Sequence, residues 1–132
     1  MFVGNFFGAL VAFIFASVPS GRYSGSKTVF GETIGAVVTF QDSQKLNFGV
    51  SGAFTLDCVA EPYSLNGNTI VLTNIGVAGD CAHDALVDNG VDLTGIVYNP
   101  TTDQITVSVK YSIAKIDIVL NQLNPFTDFK RT

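Results

Sequence analysis

Apolar and polar side chains alternate along most of this chain. In "KLNFGVSGAFTLDC" the even positions are Leu46, Phe48, Val50, Gly52, Phe54, Leu56 and Cys58, and the odd ones are Asn47, Gly49, Ser51, Ala53, Thr55 and Asp57. A period of two marks a half-buried strand, here sustained beyond the usual strand length. Gly52 falls on the apolar face without a side chain, so a long strand is expected to bend there around a barrel or sandwich corner. Just upstream, Ile34, Ala36, Val38 and Phe40 alternate with Thr33, Gly35, Val37 and Thr39, and "QDSQK" supplies a turn. The two runs predict a hairpin.

A second hairpin is predicted at "YSLNGNTIVL", where Asn66-Gly67 suits the positive φ angles of a type I′ turn. A third is predicted at "TGIVYNPTTDQITVSVKYSI", around the turn residues Asn99 to Asp103. Ile105, Val107, Val109, Tyr111 and Ile113 hold the odd phase, but Ile116, Ile118 and Leu120 continue on even numbers. A bulge or tight bend is therefore expected at Ala114-Lys115. One helix is expected, over residues 81–89. Asp80 is a good N-cap, Ala82, Ala85 and Leu86 are helix formers, and Gly90 can take the left-handed conformation that ends a helix. The expected fold is all-β with one short helix: an antiparallel meander of about 7–8 strands, as a small barrel, an open barrel or a sandwich.

The first twenty residues break the pattern. "MFVGNFFGALVAFIFASVPSG" carries no charged side chain, and its apolar stretch from Phe6 to Val18 is followed by Pro19, Ser20 and Gly21. That layout predicts a secretory signal peptide cut before Gly21, with a retained hydrophobic N-terminal helix as the alternative. The expected organisation is a leader or N-terminal helix at 1–20, a β-domain at 21–122 and a tail at 123–132.

Composition narrows the chemistry. With 47% hydrophobic and 14% charged residues the chain is too apolar for disorder. Its net charge of −4 argues against a nucleic-acid partner and against anionic lipid headgroups. Membrane association is expected only if the N-terminal segment is retained. The two cysteines, Cys58 and Cys81, are expected to form one disulfide in a secreted chain. The chain's single histidine lies in "GDCAHDALVDNG", next to Asp84. Neighbours on a helix point in different directions, and a bridged Cys81 is lost as a ligand, so no metal is expected and His83 reads as a local structural residue. No nucleophile elbow, zinc-protease, phosphate-loop or dinucleotide motif occurs. Glu32 and Glu61 are expected to be exposed or paired with Lys and Arg. No catalytic residue, cofactor or enzyme activity is expected.

"GRYSG" near the mature start, the run of antiparallel hairpins and the one crossover helix resemble the calycin-like, lipocalin-like small secreted β-domains. Where the lipocalin signature Gly-x-Trp has its tryptophan, this chain has Gly21-Arg22-Tyr23. The segments "VFGETIGAVVTF" and "ITVSVKYSIAKIDIVL" also resemble secreted or surface proteins of protists, a likeness that implies no function.

Two function classes stay open. In the first the domain is a secreted or cell-surface binding module, with Phe40, Phe48, Phe54, Tyr98 and Tyr111 turned inward to line a site for a small hydrophobic ligand. The competing role for those aromatics is to fill the core. In the second it is an extracellular surface or filament subunit that self-associates through sheet edges or the hydrophobic N-terminus.

Overall fold

The computed structural model describes residues 18–123. Eight antiparallel strands, each beside its neighbour in the chain, close into a barrel: β1 Arg22–Val29, β2 Glu32–Phe40, β3 Lys45–Ser51, β4 Leu56–Asn66, β5 Thr69–Leu72, β6 Val91–Asn99, β7 Gln104–Tyr111 and β8 Ala114–Gln122. One helix, α1 Cys81–Asn89, joins β5 to β6. The leader expectation for residues 1–20 falls mainly on residues outside those described, as does most of the tail. The chain's up-and-down course gives the barrel two distinct ends. Both described termini lie at one, with the turns after β2, β4 and β6. The other, the helix end, carries the turns after β1, β3 and β7 together with α1.

Alternation places the core as expected. Ile34, Ala36 and Val38 of β2, Leu46, Phe48 and Val50 of β3, and Ile105, Val107 and Val109 of β7 are buried. They meet Ile116, Ile118 and Leu120 of β8, so the barrel interior is a packed side-chain core. Burying a side chain of this kind contributes about 1.5–3 kcal/mol, which is what holds a small barrel shut.

Three local expectations are corrected. The run through Gly52 does not bend as one strand. It reverses, so that Val50 pairs with Leu56, and Gly52 takes φ 109° where a Cβ would collide with the backbone carbonyl of Thr33. The phase change near Ala114 is likewise a full reversal: Tyr111 pairs with Ala114 around the two-residue loop Ser112-Ile113. In the second hairpin Asn66 pairs with Thr69, so the loop is Gly67-Asn68, with φ 63° at Gly67, one residue on from the expected turn.

The helix forms where the sequence places it. Asp80 accepts a hydrogen bond from the backbone N–H of His83 at 3.1 Å, and Gly90 ends the helix at φ 67°. Its position answers a weakness in the barrel wall. β5 has only four residues and pairs with β6 at Thr69 and Val97 alone. α1 packs on β4 and β6 across that opening, burying Ala82 and Leu86. The Cys58–Cys81 disulfide ties its first turn to β4.

Candidate functional site

The five aromatics proposed for a binding site do not converge on one cavity. Phe48 is 1% exposed and Tyr98 4% exposed, both within the packed core. At the terminal end Phe40 stands edge-on to Tyr23 and Tyr63, with ring centres 6.0 Å and 5.4 Å away, and Tyr98 stands edge-on to Tyr23. At the helix end Phe54 and Tyr111 pack with tilted rings, their centres 5.5 Å apart. Phe40 and Tyr111 are half-buried.

The terminal end is closed by a polar clasp. Tyr23 and Tyr98 both donate their hydroxyls to Oδ1 of Asp103, at 2.7 Å and 2.9 Å. Asp103 sits at φ 54°, a conformation that a short acidic side chain tolerates better than most. Burial first, and the bond to Asp103 second, raise the pKa of both tyrosines above its ordinary value. They therefore remain donors across the physiological range.

At the helix end the β1–β2 and β7–β8 hairpins stand apart. β1 and β8 share only two ladder pairs, Tyr23 with Gln122 and Ser24 with Asn121, both near the terminal end. Gly25 passes so close to β8 that a Cβ there would collide with the carbonyl of Val119. Beyond that crossing the two hairpin tips flank a slot of about 270 Å³, walled by Val29, Phe30, Ile34, Tyr111, Ile113 and Ile116, with Ala114 in its lining. Tyr111 is the one aromatic proposed from the sequence that reaches it.

The tips themselves are unusual. Val29 pairs with Glu32, which leaves Phe30 and Gly31 as a two-residue loop at φ 53° and φ 80°. The opposite tip has Ser112 at φ 59°, followed by Ile113. Glycine or asparagine would hold such turns with less strain, and a bulky residue at positive φ is an outlier. Yet Phe30 is 84% exposed and Ile113 91% exposed. Two large apolar side chains thus stand in water at neighbouring turns, at a position where folding alone would favour smaller, polar residues.

A shallower groove of about 440 Å³ crosses the outer face of β2, β3 and β4, where Gly35 and Gly49 leave the wall bare. Another, of about 300 Å³, lies at the terminal end between Val18, Phe40 and Tyr63. The first has no exposed large apolar side chain in its lining, whereas the second is edged by the exposed Val18 and Leu65.

The stretch around His83 is structural in its contacts. His83 Nδ1 bonds the carbonyl oxygen of Ile75 at 2.8 Å, fixing the loop that leads into α1. Among the described residues no three His, Cys, Asp or Glu side chains gather into a metal site. Also among them, no helix is long and apolar enough to cross a membrane.

Glu61, expected at the surface or paired with a cation, is instead 2% exposed. The cause is a bulge in β4. Leu46 pairs with Glu61 but Phe48 with Cys58, so β4 carries one extra residue between them. Ala60 takes φ 59°, and its N–H is held by the side chain of Asn47 at 2.9 Å. The extra residue reverses the faces, turning Glu61 inward under α1. There Oε1 accepts the N–H of Ala82 at 3.4 Å, Oε2 has no hydrogen-bond partner, and the carboxyl of Asp80 lies nearby.

Burial, and next the contact with Asp80, push the Glu61 carboxyl up to about 7 from 4.5. A buried acid with a raised pKa is a usual sign of catalysis, but Glu61 lines none of the three grooves and is sealed beneath the helix. Its consequence is for stability. A carboxyl whose folded pKa exceeds its unfolded value binds more protons when folded. Its contribution is therefore full below the unfolded value and is lost as pH rises from about 4.5 to about 7. Glu61→Gln should keep the bond from the Ala82 N–H without the charge. At pH 8 it is expected to stabilise the domain by about 1–3 kcal/mol, with little effect at pH 4. Urea unfolding at the two pH values checks this; an equal effect at both would show that charge is not the cause.

The eight-stranded antiparallel barrel with one short helix is compatible with a calycin-like fold. Compared with protein-family models, with curated proteins and with solved structures, the chain matches none.

Proposed function

We propose that this is an extracellular, non-enzymatic β-barrel domain that holds a small apolar ligand in the slot between the β1–β2 and β7–β8 hairpins. The observation that carries the reading is the pair of exposed tips, Phe30 and Ile113, flanking an apolar slot at the helix end. Ligand sites are concave and mostly apolar, with few polar groups. Here Glu32 and Ser112 are the polar members of the lining. The packed barrel centre around Phe48 supports a site at the mouth in preference to one in the interior. The disulfide is consistent with an oxidising, extracellular setting.

The second reading, a self-associating surface subunit, draws on the short β1–β8 ladder, which leaves strand edges unpaired with each other beyond Ser24 and Asn121. One titration separates the two. 1-Anilinonaphthalene-8-sulfonate is added to the wild type, to Ala114→Phe, which fills the slot, and to Phe48→Leu, deep in the core. Saturable binding is expected in the wild type and in Phe48→Leu, with affinity at least about tenfold lower in Ala114→Phe. Equal binding in Ala114→Phe would refute the slot. Binding that tracks protein concentration through association would favour the subunit.

A further inference from the structure

We infer that the slot between the two hairpin tips takes a small primary amine, with its ammonium at Glu32 and Ser112 and its apolar body against Ile34, Tyr111 and Ile116. The inference rests on the slot being a ligand site, as proposed above, and adds the chemistry of what fills it. At about 270 Å³ the slot is at the small end of ligand cavities, with room for one short chain or one ring. Among the described residues that line it, Glu32 carries the one charge and Ser112 adds a hydroxyl. Glu32 lies two residues before Ile34, so both are on the inner face of β2. Ile34 is buried and Glu32 exposed, which sets the carboxylate at the open edge of the slot. A ligand that enters there displaces water from that carboxylate. An apolar head leaves it unpaired and an anionic head repels it, each at a cost. A protonated amine instead supplies donors that the Glu32 carboxylate and the Ser112 hydroxyl can accept. Phe30 and Tyr111, in the same lining, add aromatic rings of the kind that attract a cation.

The charge around the slot has the sign of Glu32. At the helix end Lys27, Lys110 and Lys115 are offset by Glu32, Asp92 and Asp117, while the start of β4 and α1 with its N-cap add Asp57, Asp80, Asp84 and Asp88. No other lysine or arginine among the described residues lies at that end. Arg22 and Lys45 are at the terminal end, where Asp42 and Asp103 balance them. The excess of acid is therefore concentrated around the mouth that holds the slot, a field that draws cations in and keeps carboxylates out. Lys27 is the one cation on the strands beside Glu32. It pairs with Ile34 across β1 and β2 and so stands diagonal to Glu32, but it is exposed and lies outside the slot lining. A pairing of that kind in water is weak, and a ligand ammonium held against the apolar walls competes with it.

Three probes with the same alkyl chain and different heads isolate the effect of charge. The full chain, ¹⁵N-labelled, is titrated near neutral pH with hexylamine, hexanol and hexanoate while the amides of Val29–Ile34 and Tyr111–Ile116 are followed. Hexylamine is expected to bind about fivefold tighter than hexanol, and hexanoate more weakly than hexanol. The advantage of the amine should shrink as salt is raised. In Glu32→Gln the amine should fall to the level of the alcohol, with hexanol binding kept, and the anionic 1-anilinonaphthalene-8-sulfonate should bind more tightly than it does to the wild type. Hexylamine no tighter than hexanol, or an advantage that survives Glu32→Gln, would overturn the inference and leave the slot standing as an apolar site. Hexylamine binding that survives Ala114→Phe while hexanol binding is lost would place the amine elsewhere, with the same result. No shift of the slot amides with any of the three probes would overturn the slot itself, and the inference with it.

Discussion

Replacing both cysteines, Cys58→Ala with Cys81→Ala, is expected to lower the folding free energy by about 3–5 kcal/mol. Two effects combine. The bridge spans 23 positions in sequence, and closing a loop of that size restricts the unfolded chain by about 3 kcal/mol in the chain-entropy account. The rest comes from where the bridge lies. β5 is too short to seal the wall between β4 and β6, and α1 does so instead, held to β4 by Cys81. Cys58 is completely buried, so two alanines also leave a gap in the core. Urea unfolding of the variant, and of the wild type with and without reductant, measures the loss. A change below about 1 kcal/mol would mean that packing alone keeps the helix in place.

Asp103→Ala is expected to cost about 2–4 kcal/mol. The substitution leaves two tyrosine hydroxyls, those of Tyr23 and Tyr98, without their shared acceptor. It also puts alanine where the backbone sits at φ 54°, which costs about 1–2 kcal/mol in itself. Asp103→Asn should be much milder, because its amide oxygen still accepts and asparagine tolerates that conformation. In a Tyr23→Phe, Tyr98→Phe background, Asp103→Ala should cost no more than the backbone part, about 1–2 kcal/mol. Thermal unfolding of the wild type, Asp103→Ala, the double phenylalanine variant and the triple variant closes the cycle. A full loss in the phenylalanine background would show that the hydroxyls are not what Asp103 holds.

The elements legible in the sequence are those set by local chemistry. Asp80 and Gly90 bound a helix because each satisfies backbone groups at a helix end, and α1 begins and ends beside them. The hairpins follow from alternation, and the single disulfide from two cysteines in a chain with a secretory layout. What was not legible depends on the partner strand. Alternation alone reads Gly52 as a bend, whereas the chain reverses there, and Thr33 passes so close that only glycine fits. It reads Glu61 as an outward residue, because nothing in "CVAEPY" announces that Ala60 will adopt a left-handed conformation against Asn47. The five aromatics were inward or half-inward as the alternation implies, but a period of two says which face a residue is on and not which end of the barrel. Phe40 and Tyr111 therefore looked like neighbours and lie at opposite ends. Phe30 and Ile113 carried no signal of their own. Their meaning comes from two hairpin tips placed side by side by barrel closure, with a residue type at each turn that local preference would avoid.

The most direct test of the account is a map of amide resonances on the ¹⁵N-labelled protein as a medium-chain alkyl alcohol is added. The account predicts saturable shifts confined to Val29–Ile34 and Tyr111–Ile116, with the amides around Phe48 and Tyr98 unmoved. Shifts centred on Phe48 and Tyr98, or spread evenly over the barrel, would contradict it.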